Sequence, residues 1–183
     1  MTTTSRLLAD VKTLNENANK GDFDKLLIDM IDGITDAADE YMGVKYTRAT
    51  EQTVYFDGGV KSIYLPHANV SAVTVYFDDE LLTVDYDYTL YPETGIIRSR
   101  FENGFAKGNR IIRVVYDGGY LEDALPMAFR RKIVKQTNYE FRRRNDAGLS
   151  SVTFPNGTIN KYQIDEWLPD VKAELDRRRR LVI

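Results

Sequence analysis

Hydrophobic positions recur at helical spacing toward both ends of this chain and alternate with polar ones through its middle. Phe23, Leu26, Leu27, Met30, Ile31, Ile34, Ala37, Ala38 and Tyr41 keep an i, i+3, i+4, i+7 rhythm. That spacing predicts an amphipathic helix beginning after Asp22, with Gly43 as its stop. A shorter helix is expected from about Arg6 to Leu14, capped by Ser5 or Thr4 and broken by the polar run Asn15 to Gly21. Between Glu51 and Tyr116 the period falls to two. The predicted strands are Val54 to Phe56, Ser62 to Leu65, Val73 to Phe77, Leu81 to Val84, Tyr88 to Tyr91, Gly95 to Arg98 and Ile111 to Tyr116. Asp57-Gly58-Gly59, Pro66, Asp78-Asp79 and Pro92-Glu93-Thr94-Gly95 punctuate them, and Arg100 to Asn109 reads as a loop.

The last strand runs into Asp117-Gly118-Gly119-Tyr120, and Leu125-Pro126 then opens a second long helix. Gly118 and Gly119 supply positions tolerant of positive φ and Pro126 suits a first helical turn, so these three residues form the expected hinge between β-region and helix. Leu125, Phe129, Ile133, Val134, Thr137 and Phe141 share one side of that helix, while Arg130, Arg131, Lys132 and Lys135 largely face away. Gly148 to Thr158 reads as an extended arm or hairpin, with Asn156-Gly157 favouring a type I′ turn. A final helix from Ile164 or Asp165 carries Trp167, Leu168, Val171 and Leu175. The expected class is therefore α+β: a small helical bundle of N- and C-terminal helices with an inserted antiparallel β-region. Helices occupy about 5–42 and 123–176, the insert about 51–116, and a tail 177–183, within one domain spanning 1–183.

Composition narrows the chemistry. A 183-residue chain with 43% hydrophobic residues can bury an ordinary core. It has no cysteine, which excludes disulfides, a thiol nucleophile and cysteine-ligated metals. No apolar run approaches the roughly 20 residues of a membrane span, and Met1-Thr2-Thr3-Thr4 does not open a signal peptide, so no membrane partner is expected. The net charge of −3 hides an asymmetry. Up to Pro126 there are 12 basic and 21 acidic residues, a balance of −9, and beyond it 13 and 7, a balance of +6. Two faces of opposite sign suit two different partners.

No catalytic constellation emerges. The sequence has no P-loop, no Gly-x-Ser-x-Gly and no His-Glu-x-x-His, so no enzyme, cofactor or metal is expected. His67 is the sole histidine and reads as a turn residue. Asp78, Asp79, Asp85 and Asp87 lack EF-hand spacing. The twelve tyrosines read as sheet packing with hydroxyls at the wet edge. Arg142-Arg143-Arg144 and the C-terminal arginines suit phosphate contact, but a pI near 5.3 and the lack of a recognition motif oppose sequence-specific DNA binding.

The order of elements resembles the head-tail connector, or adaptor, proteins of tailed bacteriophages. Val114 to Tyr120 stands where that family shows a strand ending in Tyr-x-x-Gly-Tyr, Leu125-Pro126 where its helix begins, and Gly148-Leu149-Ser150-Ser151 where a Gly-(Ile/Leu)-x-Ser element follows. The resemblance implies a virion protein of the head-tail interface, present in the host cytoplasm during assembly. It implies a ring, dodecameric to match the portal, that extends the DNA channel and docks a stopper or tail protein. Non-specific contact with packaged DNA is compatible with it. Another neck protein, a stopper or tail terminator, is the alternative, and a non-specific DNA-binding accessory protein a further one; a stopper or terminator should be β-dominated. In this family the C-terminal segment reaches the portal, which makes Arg177, Arg178, Arg179, Arg180, Leu181, Val182 and Ile183 the expected portal anchor. The arginines would favour encounter and the apolar residues would slow dissociation.

Overall fold

The computed structural model describes residues 3–19, 23–121, 124–144, 151–153, 159–161 and 167–180. It is an α+β chain with helices α1 (Thr3–Leu14), α2 (Asp24–Met42), α3 (Met127–Arg143) and α4 (Pro169–Arg178). The chain divides into two compact units. The helical unit comprises Met1–Met42 and Pro126–Arg179, and the β-unit comprises Gly43–Leu125 and Arg180–Ile183.

In the helical unit the two longest apolar stripes become the core. Leu27, Ile31, Ile34, Ala38 and Met42 of α2 and Phe129, Ile133, Val134 and Phe141 of α3 are buried, and α1, α2, α3 and α4 pack on one another. Phe23 meets Phe141 edge-on, with ring centroids 5.3 Å apart. Polar residues enter this core by bonding to their own helix: Thr35 Oγ1 donates to the Ile31 carbonyl at 2.7 Å and Thr137 Oγ1 to that of Ile133 at 2.9 Å. Pro126 caps α3 with φ −51° and ψ 124°, one position before the helical turn in which it was expected. A short hairpin, β8 (Ser151–Thr153) with β9 (Ile159–Lys161), realises the expected arm. The Asn156-Gly157 turn expected there, and Gly148, lie outside the described residues.

The β-unit holds β1 (Ala49–Phe56), β2 (Ser62–Tyr64), β3 (Ser71–Phe77), β4 (Glu80–Leu81), β5 (Tyr88–Tyr91), β6 (Ile96–Ser99) and β7 (Ile112–Gly118). They form two antiparallel sheets, ordered β1-β7-β3-β4 and β2-β6-β5. Ile63, Leu65, Val75, Tyr88, Ile97, Phe105, Ile112, Val114 and Tyr116 form the shared core, so the alternation along β7 is inward-facing at Ile112, Val114 and Tyr116. The predicted Leu81 to Val84 strand ends after Leu81. Asp87 Oδ2 accepts the Thr83 N–H at 2.7 Å, and Asp85 takes φ 63°, which turns the chain before pairing can continue.

Candidate functional site

The arginine run begins inside α4, which continues two residues past the expected boundary at 176. Glu174 explains the extension. Its carboxylate is only 5% accessible, accepts from Arg178 at 2.7 Å and forms an ion pair with Arg177 at 3.2 Å, the i+4 and i+3 positions one turn ahead. Cations at a helix C-terminus also suit its dipole. At the other end of α4, Pro169 follows the Leu168 cap, and the Leu168 N–H donates to Gln136 Oε1 at 3.1 Å. Asp170 in the first turn accepts from Lys132 at 2.7 Å and Lys135 at 2.8 Å; these bonds hold its pKa down to about 2. Arg179 lies over the Tyr41 ring, 5.3 Å from its centroid, and the Tyr41 hydroxyl donates to Asp176 at 2.5 Å.

Arg180 belongs to the β-unit and behaves differently from its neighbours. Its guanidinium donates to the backbone carbonyls of Leu65 and Thr94, at the end of β2 and in the β5–β6 turn. It sits 5.9 Å from the Tyr64 ring centroid. Burial lowers its pKa, and the nearby phenols of Tyr46, Tyr64 and Tyr116 oppose that shift. Five rigid donors let a guanidinium reach two carbonyls at once, which a lysine cannot match. Leu181, Val182 and Ile183 lie outside the described residues. The structure therefore spreads the four arginines of the expected anchor over three environments: a buried carboxylate, an aromatic ring and a pair of carbonyls.

Beside Arg180 the chain is stitched across three segments of the β-unit. Gly119 N–H donates to the Ala68 carbonyl at 2.8 Å, Tyr120 N–H to that of Tyr46 at 2.9 Å, and the rings of Tyr46 and Tyr120 stack 5.2 Å apart. His67 Nδ1 and the Tyr116 hydroxyl share a hydrogen bond of 2.9 Å. Burial pushes Tyr116 up to about 12; burial, then the charge of Lys45, pushes His67 down. Both groups are held neutral near pH 7, so His67 is a packed histidine rather than the turn residue expected.

The expected hinge glycines have distinct physical roles. Gly119 takes φ +81°, and a Cβ there would lie 2.0 Å from the Thr47 carbonyl oxygen. Gly118 is not in the left-handed region; it is small because a Cβ would lie 2.4 Å from that of His67. Asp117 completes the junction. It accepts from Arg48 at 3.0 Å and from the Glu51 N–H at 2.8 Å, fastening a bulge in β1 where Glu51 adopts φ 51°. Neither Arg180 nor His67 announces these partners in the sequence, because all of them are distant along the chain.

No protein-family model and no curated protein matches this chain. Solved structures share its fold. A chain in the virion of a native gene transfer agent particle is 15% identical with TM-score 0.59, over 98% of this chain and 90% of that one. A chain in the neck of an empty gene transfer agent particle, computed with C6 symmetry, is 16% identical with TM-score 0.53, over 89% and 82%. A third, in the neck of a native particle computed with C12 symmetry, is 15% identical with TM-score 0.51, over 86% and 84%. At such identities the likeness is one of fold.

Proposed function

We propose that this chain is a structural, non-catalytic protein of a virion neck, forming a ring between the portal and the tail or stopper of a phage-like particle and extending the DNA channel. The fold it shares with chains of gene transfer agent virions and necks, over nearly its whole length, carries the reading. The order of motifs in the sequence supports it independently. A C12 symmetry used for one of those necks accords with a dodecamer, and packaged DNA in such a channel would meet the chain without sequence-specific contacts.

Within this reading, Arg177 to Ile183 form the portal-facing segment. Arg180 acts as its root, because two carbonyl acceptors of the β-unit hold its guanidinium. Leu181, Val182 and Ile183 would supply apolar burial, and repetition around the ring would amplify weak single contacts. The test is to mix the purified chain with the portal protein of the same particle and measure the mass of the complex. A portal complex carrying one copy per portal subunit supports the reading. Absence of binding by both the free and the assembled chain overturns it.

A further inference from the structure

Two apolar grooves of opposite charge character, one on each compact unit, have the composition of mating surfaces. The first lies on the β-unit, a hollow of about 710 Å³ between β4 and the 101–107 loop. Phe77, Leu82 and Phe105 line it, together with Leu81 and Phe101, which are 64% and 48% exposed. Glu80 and Asp87 also line it, with Lys107; Glu102 follows Phe101, and Asp78 and Asp79, the latter paired with Arg113 at 3.5 Å, precede Glu80. The second lies on the helical unit, about 500 Å³ between the end of α1 and α3, where Leu14 and Met127 are 63% and 56% exposed. Arg130, Arg131 and Lys135 line this one. It adjoins a hollow of about 390 Å³ that shares Leu14 and Lys135 and reaches Arg142. Arg131, Lys135 and Arg142 stand at i, i+4 and i+11, one face of α3.

The acids within the second groove are already engaged. Asp10, in its lining, accepts from Arg130, and Asp170, outside the lining, accepts from Lys132 and the lining Lys135, while Arg131 and Arg142 are exposed. Large apolar side chains left in water inside concave surfaces mark interaction sites. The occupant follows from charge. An acidic apolar groove meeting its own copy would repel, whereas the complementary basic groove is present on every copy of the same chain.

We propose that the Leu81–Phe101 groove of one copy docks on the Leu14–Met127 groove of the next, a head-to-tail contact between copies of this chain. Different patches meeting in this way are heterologous and close into a ring when the rotation per copy permits. The proposal rests on the neck-ring reading and specifies which surfaces build the ring.

The native sequence has no cysteine, so introduced thiols report contacts without background. The full-length chain carrying both Leu14→Cys and Leu81→Cys should give a ladder of disulfide-linked multimers under mild oxidation, alone or on the portal. Each single variant should give only trace dimers, and their equimolar mixture mainly heterodimers. Sedimentation provides the second arm. Glu80→Lys with Glu102→Lys, or Arg131→Glu with Arg142→Glu, should each weaken self-association about tenfold or more, and mixing the two variants should restore it. A double-cysteine chain that links no better than the single variants, or charge-reversed chains that associate like the parent, overturns the proposal. If such chains still form rings on the portal, the grooves are wrong and the neck reading stands. A parent chain that never self-associates, alone or with portal, overturns both.

Discussion

His67 Nδ1 lies 2.9 Å from the Tyr116 hydroxyl, and both rings are buried beneath the glycine junction that ends β7. Because burial and Lys45 depress the His67 pKa below its usual 6.5, the folded state binds this proton less readily than the unfolded chain. The stabilisation is complete above the unfolded value and is lost as pH falls through the folded one. Urea unfolding across pH 4 to 8 should show stability declining below about 6.5. His67→Ala should remove that part of the slope and cost about 1–3 kcal/mol at neutral pH by leaving the Tyr116 hydroxyl unpaired. An unchanged pH profile in the variant would exclude His67 as its source.

Two glycines should respond in opposite directions. Gly119→Ala meets both a φ of +81° and the Thr47 carbonyl, and should destabilise by more than about 1 kcal/mol. Gly33, inside α2, has no atom within 4 Å of an added Cβ, so Gly33→Ala should stabilise by about 0.5–1 kcal/mol. Thermal melts of the two variants, compared with the parent, check both signs.

The core of the helical unit predicts a cavity cost. Ile31 and Ile133 are each 1% exposed on helices that pack together. Either residue changed to Ala should lose about 2–5 kcal/mol. Denaturant midpoints shifted by the equivalent of less than half a kcal/mol at both positions would contradict the packing.

The four arginines should not be equivalent in stability. Arg177→Gln should change stability by less than about 0.5 kcal/mol, since its side chain is 74% exposed. Arg180→Ala should cost clearly more, because the Leu65 and Thr94 carbonyls lose their donors. Arg180→Lys should recover only part of that loss. Equal losses for Arg177→Gln and Arg180→Ala would show that the carbonyl contacts of Arg180 carry no stability.

What the sequence revealed depended on the range of the interaction. The α2 stripe from Phe23 to Tyr41, the Gly43 stop and the Pro92 to Gly95 turn between β5 and β6 are local patterns, and the structure has the helix, its stop and the turn where the periodicity puts them, although Leu26 of the stripe is exposed. β1 and β3 begin earlier than alternation suggests because bulges, opposite Asp117 in β1 and opposite Tyr116 in β3, let Ala49 and Ser71 rejoin the ladder, and nothing in Ala49 to Glu51 signals that partner. An arginine run reads as a tail in sequence, whereas Glu174 one turn behind it carries α4 on to Arg178. Arg180 was legible as a candidate only by its place in that run. Its acceptors are backbone carbonyls, which leave no trace in residue type.

Electron cryo-microscopy of intact particles shows whether the chain is a neck component. Averaging at the head-tail junction should show a ring, twelvefold if it matches the portal, whose repeating density accepts this α+β fold with the 177–183 segment directed toward the portal. Mass spectrometry of the same purified particles should find the chain. Particles that lack the chain, or a junction whose density is fully accounted for by other proteins, would overturn the neck assignment.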